Sequence, residues 1–209
     1  MNRPVLYYVH DPMCSWCWGF RNTFQQLLDT LPDTIQLTRL VGGLAPDSDQ
    51  LMPEAMQSKL QKTWQHIQQK IPGVEFNFDF WTTCSPRRST YPACRAVIAA
   101  TRQGANFEDK MIQGIQTAYY LQARNPSDIS TLSAVANEIG LDQSQFDSDI
   151  ASASVENELH RQIQQCRTMH ANSFPSLVLE TGGVNQSIPV DYNSAENMLK
   201  LINELTSAL

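Results

Sequence analysis

Two cysteines separated by two residues, Cys14 and Cys17, form the pair in this sequence best suited to redox chemistry. They follow a short apolar run and stand where the residue pattern changes from strand to helix. At the start of a helix, free backbone N–H groups and the positive end of the helix dipole stabilise a thiolate. The second cysteine, one turn on, is placed to attack a mixed disulfide. The spacing therefore predicts Cys14 as the nucleophile and Cys17 as the resolving thiol.

The other cysteines and the histidines do not have the spacing of a metal site. A closed zinc site needs four ligands, commonly with a second closely spaced pair. Cys84 and Cys94 are too far apart in sequence for such a pair, and the four histidines show no ligand spacing, so no metal is predicted. Cys94 and Cys166 lie on apolar helix faces and are predicted to be core residues. Cys84 is predicted to be an exposed spare thiol, with a regulatory Cys84–Cys94 disulfide as a secondary hypothesis.

The elements around the pair indicate an α/β protein. Apolar, β-favouring runs predict strands at 4–9, 35–41, 174–180 and 184–190, and helical periodicity predicts helices at 14–31 and 194–207. Between them the sequence predicts only helices, one of which covers 91–102 with Ser89 or Thr90 as its N-cap. The order is β-α-β, a helical block, then β-β-α. We expect one domain made of 1–46 and 172–209, with 47–171 as an inserted helical domain.

Phe174-Pro175 stands immediately before the apolar run Leu177-Val178-Leu179. Proline lacks a ladder donor, so it fits poorly in a central strand. A cis peptide bond at the start of the strand or a trans proline at a sheet edge would each account for it, and the sequence leaves both open.

Composition limits the classes of partner. The 209 residues carry a net charge of −6, which opposes binding to nucleic acid or anionic lipid. No apolar run approaches the roughly 20 residues of a membrane-spanning helix. The N-terminus shows no secretory signal, so a chain complete as given is expected in the cytoplasm.

With these residues in view, the chain resembles the DsbA-like branch of the thioredoxin superfamily, particularly its FrnE-like predicted cytosolic protein-disulfide isomerases. Three segments carry the resemblance: Asp11-Pro12-Met13-Cys14-Ser15-Trp16-Cys17-Trp18-Gly19-Phe20, Tyr91-Pro92-Ala93-Cys94-Arg95-Ala96 and Ser173-Phe174-Pro175-Ser176-Leu177-Val178. It implies a thioredoxin-like fold with Pro175 as a cis-proline facing the dithiol. It also implies that the backbone of Phe174 pairs with an extended substrate, and that Ser15 and Trp16 help set thiolate stability and contact the substrate. Asp11 is interpreted as a turn residue, with a nearby acid as the alternative.

The resulting hypothesis is a thiol–disulfide oxidoreductase or protein-disulfide isomerase. Its partners would be protein or small-molecule thiols and disulfides, with glutathione as one candidate. No cofactor is needed, because the two cysteines carry both electrons. A glutathione-dependent transferase or isomerase of the kappa-class or hydroxychromene-carboxylate isomerase type is one alternative, although those relatives have a serine where Cys14 stands. A non-catalytic thiol sensor or chaperone is the other.

Overall fold

Strand β1, Val5–His10, lies inside a four-stranded sheet in the computed structural model, which describes residues 3–207. It pairs in parallel with β2 (Gln36–Val41) and antiparallel with β3 (Ser176–Thr181). β4 (Val184–Ile188) pairs antiparallel with β3, which gives the order β2-β1-β3-β4. All four predicted strands are confirmed, and Pro175 precedes β3, where its missing N–H leaves no gap in the ladder.

The helices described in residues 3–207 follow the predicted order. They are α1 Ser15–Thr30, α2 Glu54–Lys70, α3 Phe80–Thr83, α4 Tyr91–Thr101, α5 Asn106–Tyr120, α6 Ile129–Glu138, α7 Gln143–Ile150, α8 Ala153–Thr168 and α9 Glu196–Ser207. The β-α-β, all-helical, β-β-α sequence of elements is therefore confirmed.

Helices α1 and α9 share a core with one face of the sheet. Successive side chains of a strand point to opposite faces, so Leu6 and Tyr8 of β1 are buried on this side. The same alternation places Leu177 and Leu179 of β3 beside them. The helices contribute apolar residues at helical spacing: Phe20, Phe24, Leu27, Met198 and Ile202.

The other face of the sheet has its own smaller core. Val9 of β1 and Val178 of β3, one position away from the residues of the first core, point to this side. They pack with Cys166 and Met169 from the end of α8 and the segment after it. The prediction that Cys166 is a buried core residue is confirmed.

The chain divides into two units, each with its own core. One contains the described residues up to Gly42 together with those from Gln162 onward, and the other contains Gly43–Arg161. In the second unit the side chain of Trp64 is buried among aromatic rings: Phe76, Phe80, Tyr119 and Tyr120. The domain limits of 46 and 172 stay a prediction.

Two local details differ from the sequence prediction. The short helix α3 was not expected, because four residues show no measurable periodicity. Thr90 stands at the N-cap of α4, but its side chain does not cap the helix. Its hydroxyl accepts a hydrogen bond from the N–H of Ala45 at 3.0 Å instead.

None of the helices in residues 3–207 combines the length and the apolar character required to cross a lipid bilayer.

We expect Leu6→Ala to destabilise the unit that contains the sheet by about 2–5 kcal/mol, because the substitution opens a cavity between β1 and helices α1 and α9. Chemical denaturation followed by near-ultraviolet circular dichroism measures the change. The matched control is Val184→Ala on the edge strand, where the residue is 58% exposed and the cost should stay within about 0.5 kcal/mol. Equal costs at both positions would contradict this account of the core.

Candidate active site

Cys14 occupies the N-cap of α1, where the chain leaves β1 and enters the helix. Its backbone is extended, with φ −82° and ψ 117°. The preceding turn is held by Asp11, whose carbonyl accepts from the Cys14 N–H at 3.0 Å and whose Oδ1 accepts from the Met13 N–H at 2.8 Å. Asp11 is thus a turn residue, as interpreted from the sequence. This turn places the Cys14 sulfur at the positive end of a 16-residue helix.

The two sulfurs differ in exposure and in acidity. Cys14 is 8% exposed, whereas Cys17 is fully buried. A hydrogen bond from the Cys17 thiol lowers the pKa of Cys14 below its ordinary value, and the N–H groups of Cys17 and Trp16 lower it further. Burial and the Asp11 carboxylate oppose this shift, but the hydrogen bonds prevail, and Cys14 is the more readily ionised thiol of the pair.

Cys17 shows the opposite shift. Burial raises the pKa of its thiol well above the ordinary value, and the hydrogen bond that it donates to Cys14 raises the pKa further. A group that must ionise without water retains its proton. The pair therefore consists of an ionisable thiol near the surface and a protonated thiol beneath it.

The loop before β3 brings Phe174 and Pro175 to the same place. The Phe174–Pro175 peptide bond is cis. The carbonyl oxygen of Phe174 accepts a hydrogen bond from the Cys14 thiol at 3.4 Å. This hydrogen bond joins residues that are 160 positions apart in sequence. Of the predicted site residues, Cys14, Cys17, Phe174 and Pro175 therefore lie close together.

Gly42 is a residue of this site that the sequence analysis missed. It follows β2, and its N–H donates to the carbonyl of His10 at 2.7 Å. A Cβ atom at this position would overlap the Phe174 ring. In sequence Gly42 is only the end of a strand, and no local pattern reveals that a distant ring needs its space.

The two residues between the cysteines lie on the first turn of α1. Ser15 is buried, and Trp16 is half-buried. The Trp16 ring packs against Tyr192, with ring centroids 5.0 Å apart. Tyr192 lies between β4 and α9, and the sequence analysis did not identify it.

Tyr8 and His10, on β1, form a buried polar pair beside the cysteines. Burial raises the pKa of Tyr8, and the sulfurs of Cys17 and Cys14 raise it further. The His10 ring stacks on Tyr8 at 5.1 Å, and both of its nitrogens are buried without a hydrogen-bond partner. Burial lowers the pKa of His10 to about 3, with a smaller effect from Arg39, so this histidine is neutral.

The unit Gly43–Arg161 contains Cys84, Cys94 and Arg95. Cys94 is buried, as predicted. Cys84 is half-buried rather than exposed, because its thiol donates to the carbonyl of Ala123 at 3.0 Å. Arg95 pairs with Asp47 at 2.7 Å and Glu156 at 3.0 Å. Across residues 3–207, no three His, Cys, Asp or Glu side chains are grouped so that they could hold a metal ion.

Comparison with known proteins shows which protein family the chain belongs to. A family model described as Thioredoxin matches residues 7–198. A proposed protein disulfide isomerase from Nitrosomonas europaea has a similar structure, with a TM-score of 0.83 and 23% identity over 99% of each chain. The cytosolic disulfide reductase DsbM from Pseudomonas aeruginosa matches with a TM-score of 0.77 and 19% identity over 98% of this chain and 100% of that chain. Its structure with GSH gives a TM-score of 0.74 and 18% identity over 97% and 99% of the two chains.

The chain belongs to the thioredoxin family. The expected fold class is confirmed by this match and by the solved structures, which at these identities establish the fold. Among curated proteins, the ClpXP adapter protein SpxH of Bacillus subtilis (strain 168) is 22% identical over 173 residues, which are 82% of this chain. The matched region spans 56% of that protein's length.

Stability should fall in acid because of His10. Its pKa is about 3 in the folded protein and 6.5 when unperturbed, so between these values the unfolded chain binds a proton that the folded chain does not. His10→Phe keeps a ring against Tyr8 and should reduce the loss of stability between pH 6.5 and 5 by about 1–2 kcal/mol. Denaturant titrations at both pH values measure it, and an unchanged pH dependence in the variant would contradict the assignment.

Gly42→Ala should displace the Phe174 ring and with it the carbonyl that contacts Cys14. We expect a folded protein that is less stable in denaturant titrations, since overpacking costs about 1–3 kcal/mol. The double variant Gly42→Ala/Phe174→Ala removes the overlap and should recover stability relative to Gly42→Ala alone. A Gly42→Ala protein as stable as the wild type would contradict this account of the contact between Gly42 and Phe174.

Proposed function

We propose that this protein is a thiol–disulfide oxidoreductase that acts through Cys14-Ser15-Trp16-Cys17. The observation that carries the proposal is the asymmetry of the two sulfurs, an acidic Cys14 at a helix N-terminus and a buried, protonated Cys17. A thiolate is the nucleophile in disulfide exchange, so only one of the two is ready to attack. Membership of the thioredoxin family supports the same chemistry.

In the first step the Cys14 thiolate attacks one sulfur of a substrate disulfide. A bond forms between Cys14 and that sulfur, the substrate disulfide breaks, and the second substrate sulfur leaves as a thiolate that takes a proton from solvent. As it enters the mixed disulfide, the Cys14 sulfur loses the negative charge that the hydrogen bond from the Cys17 thiol stabilises.

In the second step Cys17 gives up its proton and attacks the Cys14 sulfur. The mixed disulfide breaks, the Cys14–Cys17 disulfide forms, and the remaining substrate sulfur leaves and is protonated. The substrate has then gained two electrons and the dithiol has lost them. If a substrate thiol attacks the mixed disulfide before Cys17 does, the substrate disulfide is rearranged with no net electron transfer, which is isomerisation.

The site supports an extended substrate segment beside Cys14. In this proposal the backbone of Phe174 pairs with the substrate chain, and Ser15 and Trp16 contact it from α1. The hydrogen bond from the Cys14 thiol to the Phe174 carbonyl supports this, because it places that carbonyl beside the reacting sulfur.

We further propose a small thiol such as glutathione as the partner that recycles the dithiol. One similar structure, that of the cytosolic disulfide reductase DsbM, contains GSH, and this supports both the partner and a cytosolic setting. Two glutathione molecules would reduce the Cys14–Cys17 disulfide and leave as glutathione disulfide.

Cys14→Ser should reduce disulfide exchange to the uncatalysed rate, because no thiolate remains to attack. Cys17→Ser should still attack but not resolve, so a mixed disulfide with the substrate accumulates and appears as a mass adduct on Cys14. The measurement is reduction of a disulfide-linked peptide by glutathione, combined with intact-mass analysis.

The matched control is Cys84→Ser, which removes a half-buried thiol and should leave the exchange rate unchanged. Retained activity in Cys14→Ser, or a wild-type pair that never forms a disulfide in glutathione buffers, would overturn the proposed function.

A binding function is the second candidate, because the curated relative is an adapter protein. An adapter, sensor or chaperone would not need thiolate chemistry for binding. The variant Cys14→Ser/Cys17→Ser separates the two functions, since it abolishes exchange and leaves a purely protein-binding surface intact.

A further inference from the structure

Tyr192 packs directly on the helix that carries both cysteines. Its ring centroid lies 5.0 Å from that of Trp16, the residue between Cys14 and Cys17, at an interplanar angle of 55°. It also meets Phe20 edge-on at 5.8 Å. Tilted and edge-to-face aromatic pairs are attractive beyond the area they bury, so Tyr192 restricts the positions available to Trp16.

The backbone of Tyr192 is fixed to the same helix. Its carbonyl accepts a hydrogen bond from the hydroxyl of Thr23 at 2.7 Å, and Thr23 is only 4% exposed. Asp191 closes the adjoining turn by accepting from the N–H groups of Asn193 at 2.9 Å and Ser194 at 3.1 Å. The ring of Tyr192 is therefore held by aromatic contacts, and its backbone by a separate hydrogen bond to Thr23.

The contacts of Tyr192 follow one face of α1. Trp16, Phe20 and Thr23 are spaced by four and three residues, which places them in line along a helix. The first turn of any helix has N–H groups without intrahelical partners, and it frays most easily. Here that turn carries the N–H groups of Trp16 and Cys17, which hydrogen-bond to the Cys14 sulfur.

We propose that Tyr192 is a positioning residue for the Cys14–Cys17 pair, because its ring holds Trp16 and with it the first turn of α1 against Cys14. The inference rests on the proposed function and deepens it. Tyr192 acts through Trp16 and does not itself take part in disulfide exchange.

The electrostatics of Tyr192 agree with this placement. Burial raises the pKa of its phenol, and the Cys17 and Cys14 sulfurs raise it further. The phenol therefore remains neutral.

The test compares Tyr192→Ala with Tyr192→Phe, which keeps the ring. The readout is the pH dependence of Cys14 alkylation, located by peptide mass spectrometry. Tyr192→Ala should raise the midpoint by about one pH unit, a tenfold loss of thiolate below it, and Tyr192→Phe should leave it unchanged. Since the thiolate belongs to the reduced form, the equilibrium with glutathione should shift toward the disulfide by up to about tenfold, which is a potential lower by about 30 mV.

Two controls separate positioning from general destabilisation. Tyr7→Ala removes a partly buried tyrosine that packs in the opposite core of the sheet and should not move the Cys14 midpoint. In a Trp16→Ala background, the effect of Tyr192→Ala should disappear, because the residue through which it acts is absent. If Tyr192→Ala does not fold, Tyr192→Leu replaces it and should give a shift in the same direction.

A folded Tyr192→Ala protein with the wild-type midpoint would overturn the inference, as would an equal shift in the Trp16→Ala background. Alkylation does not require turnover. A wild-type protein without exchange activity whose Cys14 midpoint still depends on Tyr192 would therefore refute only the proposed function.

Discussion

The hydrogen bond between the two sulfurs depends on Cys17 being more completely buried than Cys14. Cys17, enclosed beneath the first turn of α1, retains its proton and donates it toward Cys14. Cys14 remains slightly exposed to solvent and accepts further hydrogen bonds from backbone N–H groups of the helix. If both sulfurs were exposed, water would compete for these donors, and if Cys14 were buried without them, it would not ionise. The β1–α1 junction sets this depth, because Asp11 fixes the turn that separates strand from helix.

The sheet topology brings the other parts of the site to that junction. β1 lies between β2 and β3, so the end of β1 adjoins the end of the parallel β2 and the beginning of the antiparallel β3. Gly42 follows β2 and leaves space for the ring of Phe174, which precedes β3. The carbonyl of Phe174 in turn contacts the Cys14 thiol. A parallel pair and an antiparallel pair on the same central strand are what allow three distant segments to meet.

Polar groups buried near the site have a thermodynamic cost. Asp11 and His10 are almost inaccessible to solvent, and the two His10 nitrogens have no hydrogen-bond partner. Such groups destabilise a fold unless packing elsewhere offsets them. Here the offset comes from the two apolar cores on the two faces of the sheet, in which Leu6 and Tyr8 of β1 are buried on one face and Val9 on the other.

The sequence alone was enough to predict the order of strands and helices, because strand alternation and helical periodicity are local properties that appear directly at Leu6, Tyr8, Phe20 and Leu27. It also determined the position of Cys14 and Cys17 at a strand-to-helix junction. It left open the isomer of the Phe174–Pro175 bond, and it wrongly predicted an exposed Cys84, which a hydrogen bond to the Ala123 carbonyl keeps half-buried. The space that Gly42 leaves for Phe174 and the packing of Tyr192 on Trp16 are visible only in the folded chain. These contacts join residues far apart in the chain, and no local pattern of one segment encodes the shape of another.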